Sequence, residues 1–174
     1  MSRKLWPFAA AMAAVVLASN YLVEKPINDW LTWGAITYPF AFLVTDLVNR
    51  LRGVGAARRV VLVGFATGVA LSLLVDPRIA LASGTAFLVA QLFDIELFDS
   101  LRARAWWVAP ALSTVLGAAL DTTLFFSLAF AGTGLPWVGW AIGDLGVKWT
   151  VAALSLLPYR LLVGRALSVP RTSG

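Results

Sequence analysis

The chain has 174 residues, 60% hydrophobic and 13% charged, with a mean hydropathy of +0.82, well above the composition of a soluble domain. It contains neither Cys nor His, which excludes disulfides, thiolate or imidazole metal sites, and Cys or His nucleophiles. Its net charge of +5 is scattered between apolar runs instead of forming one basic domain, so nucleic acid is excluded as a partner.

Six apolar runs follow one another: Trp6–Val23, Leu31–Asn49, Val60–Val75, Ile79–Phe93, Trp106–Ala131 and Trp137–Pro158. A helix needs about 20 residues to cross the hydrocarbon of a bilayer, so each run spans or nearly spans it. The expected fold is all-α, a polytopic membrane protein of six transmembrane helices forming a single domain over residues 1–174. The first run follows Arg3 and Lys4 and contains the small-residue stretch Leu17-Ala18-Ser19, so a cleaved signal peptide is an alternative. Against it, Asn20 and Tyr21 continue the run, and cleavage would leave five spans.

Pro39 interrupts the second run after Thr37 and Tyr38. Proline lacks an N–H and clashes with the carbonyl four residues back, so the helix should kink or open there and free the Ala35 carbonyl. Beyond it, Phe42, Thr45, Asp46 and Asn49 share one helical face, either as a solvated cytoplasmic end or as a ligand-lining wall. The third run is short. The fourth, with an extension to about Phe98, sets Gly84, Phe87, Gln91, Asp94 and Phe98 along one stripe. Glu96 points away from that stripe, and with Asp99 it is expected at the cytoplasmic exit, pairing with Arg102 or Arg104.

The fifth run places an acid, Asp121, inside a spanning segment. A carboxylate near the bilayer centre costs about 2.5–3.5 kcal/mol on insertion scales, so it should face a bundle interior or a wet path. On its face stand Thr114, Gly117, Ala118 and Phe125, with Thr122 on the flank. The sixth run adds Asp144 and Lys148, four residues apart and hence on one helical face.

With the N-terminus in the cytoplasm, that side holds Arg3, Lys4, Arg50, Arg52, Arg58, Arg59, Arg102, Arg104, Arg160, Arg165 and Arg171. The other side keeps Lys25 and Arg78, with Lys148 left inside the membrane. This is a positive-inside pattern, and it puts both termini in the cytoplasm. Trp30, Trp33, Trp106, Trp107, Trp137 and Trp140 fall near run ends, as an aromatic belt requires.

Helical rise, about 1.5 Å per residue, sorts the polar groups into two tiers. Asp121, Asp144 and Lys148 lie roughly 10–16 Å from the outer ends of their runs, and Gln91, Asp94 and Asp46 roughly 18–22 Å in by the same rise. The upper tier is either a structural Asp–Lys–Asp cluster or a substrate site. Buried charge pairs are poor stabilisers, which favours the second.

The stretches TYPFAFLVTDLVNRLRG from Thr37, ASGTAFLVAQLFDIELFDSLR from Ala82, WWVAPALSTVLGAALDTTLFFSLAFAG from Trp106 and GDLGVKW from Gly143 resemble a known family, the queuosine-precursor transporters, or YhhQ group of vitamin uptake transporters. The likeness runs from about Asn20 to Arg160. It implies a six-helix carrier in the bacterial inner membrane, similar in fold to the substrate-binding subunits of ECF importers, that imports 7-deazaguanine precursors of queuosine, the 7-cyano and 7-aminomethyl forms, for tRNA modification. It implies no enzyme activity and no cofactor or metal. The partners it implies are the small-molecule substrate and the lipid bilayer; an ATPase partner is disfavoured and a homo-oligomer is left open.

A deazaguanine presents ring N–H and exocyclic amine donors beside a carbonyl acceptor. One carboxylate can take both donors while an amide or ammonium donates to the carbonyl. Candidates are Asp121, Asp94 or Asp144 for the donor edge and Gln91 or Lys148 for the carbonyl. Tyr38, Phe42, Phe87, Phe125 or Phe126 would stack on the flat ring, and Thr45, Asp46 and Thr122 stand beside them.

Other classes fit less well. The chain has no G-x-x-x-x-G-K-[ST], so an ATP-driven importer would need a separate ATPase, with this chain as its substrate-binding subunit. Gly143-Asp144 is faintly like one motif of intramembrane aspartyl proteases, but their Tyr-Asp pair is missing. A membrane scaffold is disfavoured by so many internal charges.

Overall fold

A computed structural model describes residues 5–22, 25–28, 31–72 and 77–168. Arg3, Lys4, Val23, Trp30, Val75 and Arg171, which enter the span limits, charge pattern and aromatic belt, lie outside them. Seven helices run through the described residues: α1 (Trp6–Leu22), α2 (Trp33–Thr37), α3 (Phe40–Arg52), α4 (Val54–Ser72), α5 (Pro77–Leu101), α6 (Val108–Phe130) and α7 (Trp137–Ser168). Between α1 and α2 a short antiparallel ribbon pairs β1 (Pro26–Asn28) with β2 (Leu31–Thr32).

Since α2 and α3 are two halves of one broken helix, six helical units result. The break falls where Pro39 predicts it: the Tyr38 N–H still reaches the Gly34 carbonyl, while Ala41 and Phe42 turn back to Tyr38 and Pro39 at 3.0 and 3.1 Å. Gly53, at φ +83°, makes the left-handed turn that separates α3 from α4.

Among the described residues, three helical stretches are long and apolar enough to cross a membrane by length and composition: Pro77–Leu101, Val108–Phe130 and Trp137–Arg165. Trp6–Ser19 is apolar but shorter. Large apolar side chains on their outer faces stay uncovered, among them Leu81, Ile142, Leu154 and Leu157, each about two-thirds exposed or more. Such a surface suits lipid tails and not water. The chain is an all-α, multi-pass membrane protein.

Several boundaries differ from the sequence expectation. α4 begins at Val54, six residues before the apolar run, and within this extension Arg58 Nη2 lies 2.6 Å from Glu96 Oε1. Glu96 therefore pairs with Arg58 and not with Arg102 or Arg104. Asp99 does pair with Arg102, at 3.0 Å. α5 continues to Leu101, through the extension that Asp94 and Phe98 suggested. Pro158 does not end the last helix; α7 continues through it to Ser168.

One core cluster joins Met12 of α1, Val48 of α3, Val60 and Val61 of α4, and Phe87 and Ile95 of α5. A second joins Leu47 of α3, Phe98 of α5, Ala109 of α6 and Tyr159 of α7. α5 and α6 pack closely, and Gly117 of α6 permits part of that approach. A Cβ there would stand 2.8 Å from Phe42 Cε1 and 3.4 Å from Asp94 Cβ.

Candidate functional site

Most of the buried polar side chains among the described residues gather in two groups. The first ties the α2–α3 break to α6 and α7. Lys148, 4% exposed, places its ammonium 2.8 Å from Asp121 Oδ2, 2.6 Å from Asp144 Oδ2 and 3.0 Å from the Thr122 hydroxyl. An ammonium has three protons, so all of its donors are used. Thr122 passes its own proton to Asp144 Oδ2 at 2.7 Å. The Tyr38 hydroxyl donates to the other oxygen of Asp121 at 3.0 Å, and the Tyr38 ring lies 5.3 Å from the ammonium. Asp121 and Thr122, each 3% exposed, are thus held by groups from the α2–α3 break and from α7.

The second group joins α3, α5 and α6, and its partners do not close. Asp46, 2% exposed, accepts hydrogen bonds from Thr114 at 3.1 Å and Ser113 at 3.4 Å. Asp94 acts on it electrostatically. Asp94 itself is fully buried with Asp46 and Ser113 as its polar neighbours, and neither of its oxygens accepts a hydrogen bond of good geometry from the described residues. Gln91, three residues earlier on the same face of α5, is fully buried too. Its Oε1 lies 2.6 Å from the Thr45 hydroxyl, and its Nε2 has no partner.

The Thr45 hydroxyl also faces the Ala41 carbonyl at 3.0 Å. A hydroxyl has one proton, so it cannot donate to both. Turning the Gln91 amide over would let nitrogen donate to Thr45 instead, and would leave the oxygen alone. In either orientation one polar atom of Gln91 is unpaired. A buried polar atom without a partner costs about 1–3 kcal/mol, so three on one helix face require an explanation.

Phe42, fully buried, borders this floor through Gly117. Phe87 meets Tyr38 edge to face, centroids 6.2 Å apart. These two rings also bound a cavity of about 20 Å³ with Val16, Gly64, Phe65 and Gly84, room for about one water. Phe125 stands elsewhere, in a ring cluster with Phe126 and Phe130, which continues to Trp140 of α7.

Below the floor a hydrogen-bonded group ties together the C-terminal ends of α3 and α5. Arg102 Nη2 donates to the Asn49 carbonyl at 2.6 Å and to Asn49 Oδ1 at 2.8 Å. Asn49 Nδ2 donates to the Ile95 carbonyl at 2.9 Å, and Arg50 to the Arg102 carbonyl at 2.9 Å. An arginine at a helix C-terminus satisfies its last carbonyls.

The structure therefore brings Asp121, Thr122, Asp144, Lys148 and Tyr38 into one group and Thr45, Asp46, Gln91, Asp94 and Phe42 into another. Phe87 reaches the first through Tyr38, and Phe125 belongs to neither. Ser113 as a partner of Asp46, and Arg102 as the cap of α3, were not visible in the sequence. Helical periodicity gives a face, but not which helix 50 or more residues away the face meets.

A family model described as "Putative vitamin uptake transporter" matches residues 32–76 and 72–163. The chain belongs to that family, the queuosine-precursor transporters. Among curated members, the "Queuosine precursor transporter" of Escherichia coli K12 is 32% identical over 83% of this chain and 79% of its own. The "Probable queuosine precursor transporter" of Haemophilus influenzae is 31% identical over 90% and 79%. The Bacillus subtilis protein of the same name is 27% identical over 82% and 77%. No solved structure matches the chain. Family membership makes a small-molecule substrate and a membrane setting the frame in which the two polar groups are read.

Proposed function

We propose that the protein imports 7-deazaguanine precursors of queuosine, in the 7-cyano and 7-aminomethyl forms, across the bacterial inner membrane. The termini lie in the cytoplasm, and the protein acts as a carrier, not as an enzyme and without an ATPase subunit. The relatives supply the substrate class. The observation that carries the site is Asp94, fully buried with two unpartnered oxygens, beside the unpartnered nitrogen of Gln91.

The deazaguanine edge runs carbonyl acceptor, ring N–H donor, amine donor. Gln91 and Asp94 offer the complement: one amide donor followed by two carboxylate acceptors. Charge-assisted contacts of this kind contribute about 1.5–3 kcal/mol each in a water-poor site. Phe42 offers a flat ring beside the same floor. Adenine would present its donors and acceptors in the opposite order and should be refused, because a mismatched edge leaves the same buried groups unpaired.

Purified protein in liposomes without ATP should take up both labelled precursors. Excess unlabelled guanine should compete, and adenine should not. Uptake only with an added ATPase complex would make the chain the substrate-binding half of an ATP-driven importer, and equal competition by adenine would remove Gln91 and Asp94 from base reading.

A further inference from the structure

Asp46 of α3 and Asp94 of α5 face each other within hydrogen-bond reach, with Ser113 of α6 beside both. Neither has an ion-pair partner among the described residues. The charged and titratable groups of the surrounding helices are engaged elsewhere or exposed. Lys148 of α7 is committed to Asp121 of α6 and to Asp144, and Tyr38 donates to Asp121. Arg102 is held by Asn49 and Asp99, and Arg50 of α3 by the Arg102 carbonyl. Arg58 of α4 pairs with Glu96 of α5, while Arg52, Arg59 and Tyr21 of α1 are exposed. Tyr159 of α7 interacts with Asp46, but a phenol supplies no positive charge.

Two carboxylates cannot hydrogen-bond to each other, because neither has a proton to give, and in low dielectric their like charges repel. One proton removes both difficulties: it takes away a charge, and it turns the contact into a carboxylic acid donating to a carboxylate. Resting on the reading of this floor as the substrate site, we propose that Asp46 and Asp94 hold one proton between them and that Asp46 is a positioning residue, keeping that proton and aiming the Asp94 carboxylate when the base edge arrives.

The neighbours suit this role. The hydroxyls of Ser113 and Thr114 can accept as well as donate, so they satisfy Asp46 with or without its proton. Asp94 has room for both partners, since a carboxylate offers about four lone-pair sites and one bond from Asp46 leaves the rest for the ring N–H and the amine. The floor then carries a single negative charge, held at the acid that meets the donor edge.

The test uses the 7-cyano precursor, which has no titrating arm, bound to purified protein at neutral pH and followed by infrared difference spectroscopy. Bound wild type should keep one carbonyl band of a protonated carboxyl, shifted by deuterium exchange and by a carbon-isotope label confined to aspartate. Asp46→Asn should lose that band. In titrations, Asp46→Val should bind about tenfold more weakly than wild type, as expected for a lost hydrogen bond to a charged group. Asp46→Asn, whose amide again donates to Asp94, should recover most of that loss. No such band in bound wild type, a band that survives in Asp46→Asn, or equal affinity in wild type and Asp46→Val would overturn the proposal and leave the transporter reading intact. The wild-type band needs no variant, and among the described buried aspartates only Asp46 and Asp94 lack a cation, so it decides even if the variants fail to fold. Failure of wild type to bind the 7-cyano precursor would overturn the proposal together with the reading it rests on.

Discussion

Lys148 with its neighbours and Asp94 with its neighbours are built from the same kinds of side chain, largely withdrawn from the surface, yet one group is internally paired and the other is not. Around Lys148 every ammonium proton has an acceptor, and Asp121 takes hydrogen bonds on both oxygens. Around Asp94 two carboxylate oxygens and one amide atom are left over. A folded chain keeps unpaired buried groups only where something else repays their cost. The difference separates two kinds of group that composition alone runs together: the Lys148 group ties the α2–α3 break to α6 and α7, and the Asp94 group is the one we propose meets the substrate.

The largest effect expected from breaking this contrast is on folding. Lys148→Met would leave Asp121 and Asp144 buried without their cation, a change that typically costs about 3–5 kcal/mol. The variant should be recovered in low yield with strongly reduced thermal stability, and adding Asp144→Asn should restore part of it. Normal stability and normal uptake in Lys148→Met would show that the group holds nothing together.

A smaller effect should sharpen the contrast from the other side. Gly117→Ala puts a methyl 2.8 Å from the Phe42 ring, which must then shift against the floor at a cost of about 1–3 kcal/mol. Precursor affinity should fall with the stability, as measured by titration and thermal unfolding of the same sample. The smallest is Tyr38→Phe, which removes one hydrogen bond to Asp121 and keeps the ring. A loss of about 0.5–1.5 kcal/mol in stability is expected, with precursor affinity retained.

How much of this was legible in the sequence depended on range. Asp144 and Lys148 are one helical turn apart, so their pairing could be read directly, and the break at Pro39 follows from proline's missing N–H. The shared faces of Gln91 with Asp94, and of Phe42, Thr45, Asp46 and Asn49, follow from the helical period. What those faces meet does not. Asp46 finds Ser113 and Thr114 at separations of 67 and 68 residues, and Tyr38 finds Asp121 across 83. Glu96 was assigned to the nearer arginines because local spacing offered them, whereas tertiary packing gave it Arg58. The last apolar run was bounded at Pro158, yet α7 continues ten residues past it, since a helix can carry a proline within it. Most importantly, spacing could not rank Asp94 above Asp121 or Asp144, since only the surrounding atoms show which acid already has its donors.

The direct test is to measure thermal stability and precursor affinity together for Asp94→Asn and Asp121→Asn. Each change keeps size and shape while replacing an acceptor-only carboxylate with a group that also donates. Asp94→Asn should unfold at or above the wild-type temperature and bind the precursor at least about tenfold more weakly, the low end of what a charge-assisted contact contributes. Asp121→Asn should lose stability, and the fraction that folds should still bind. Unchanged affinity in Asp94→Asn, with binding lost in a fully stable Asp121→Asn, would reverse the two roles and contradict this account.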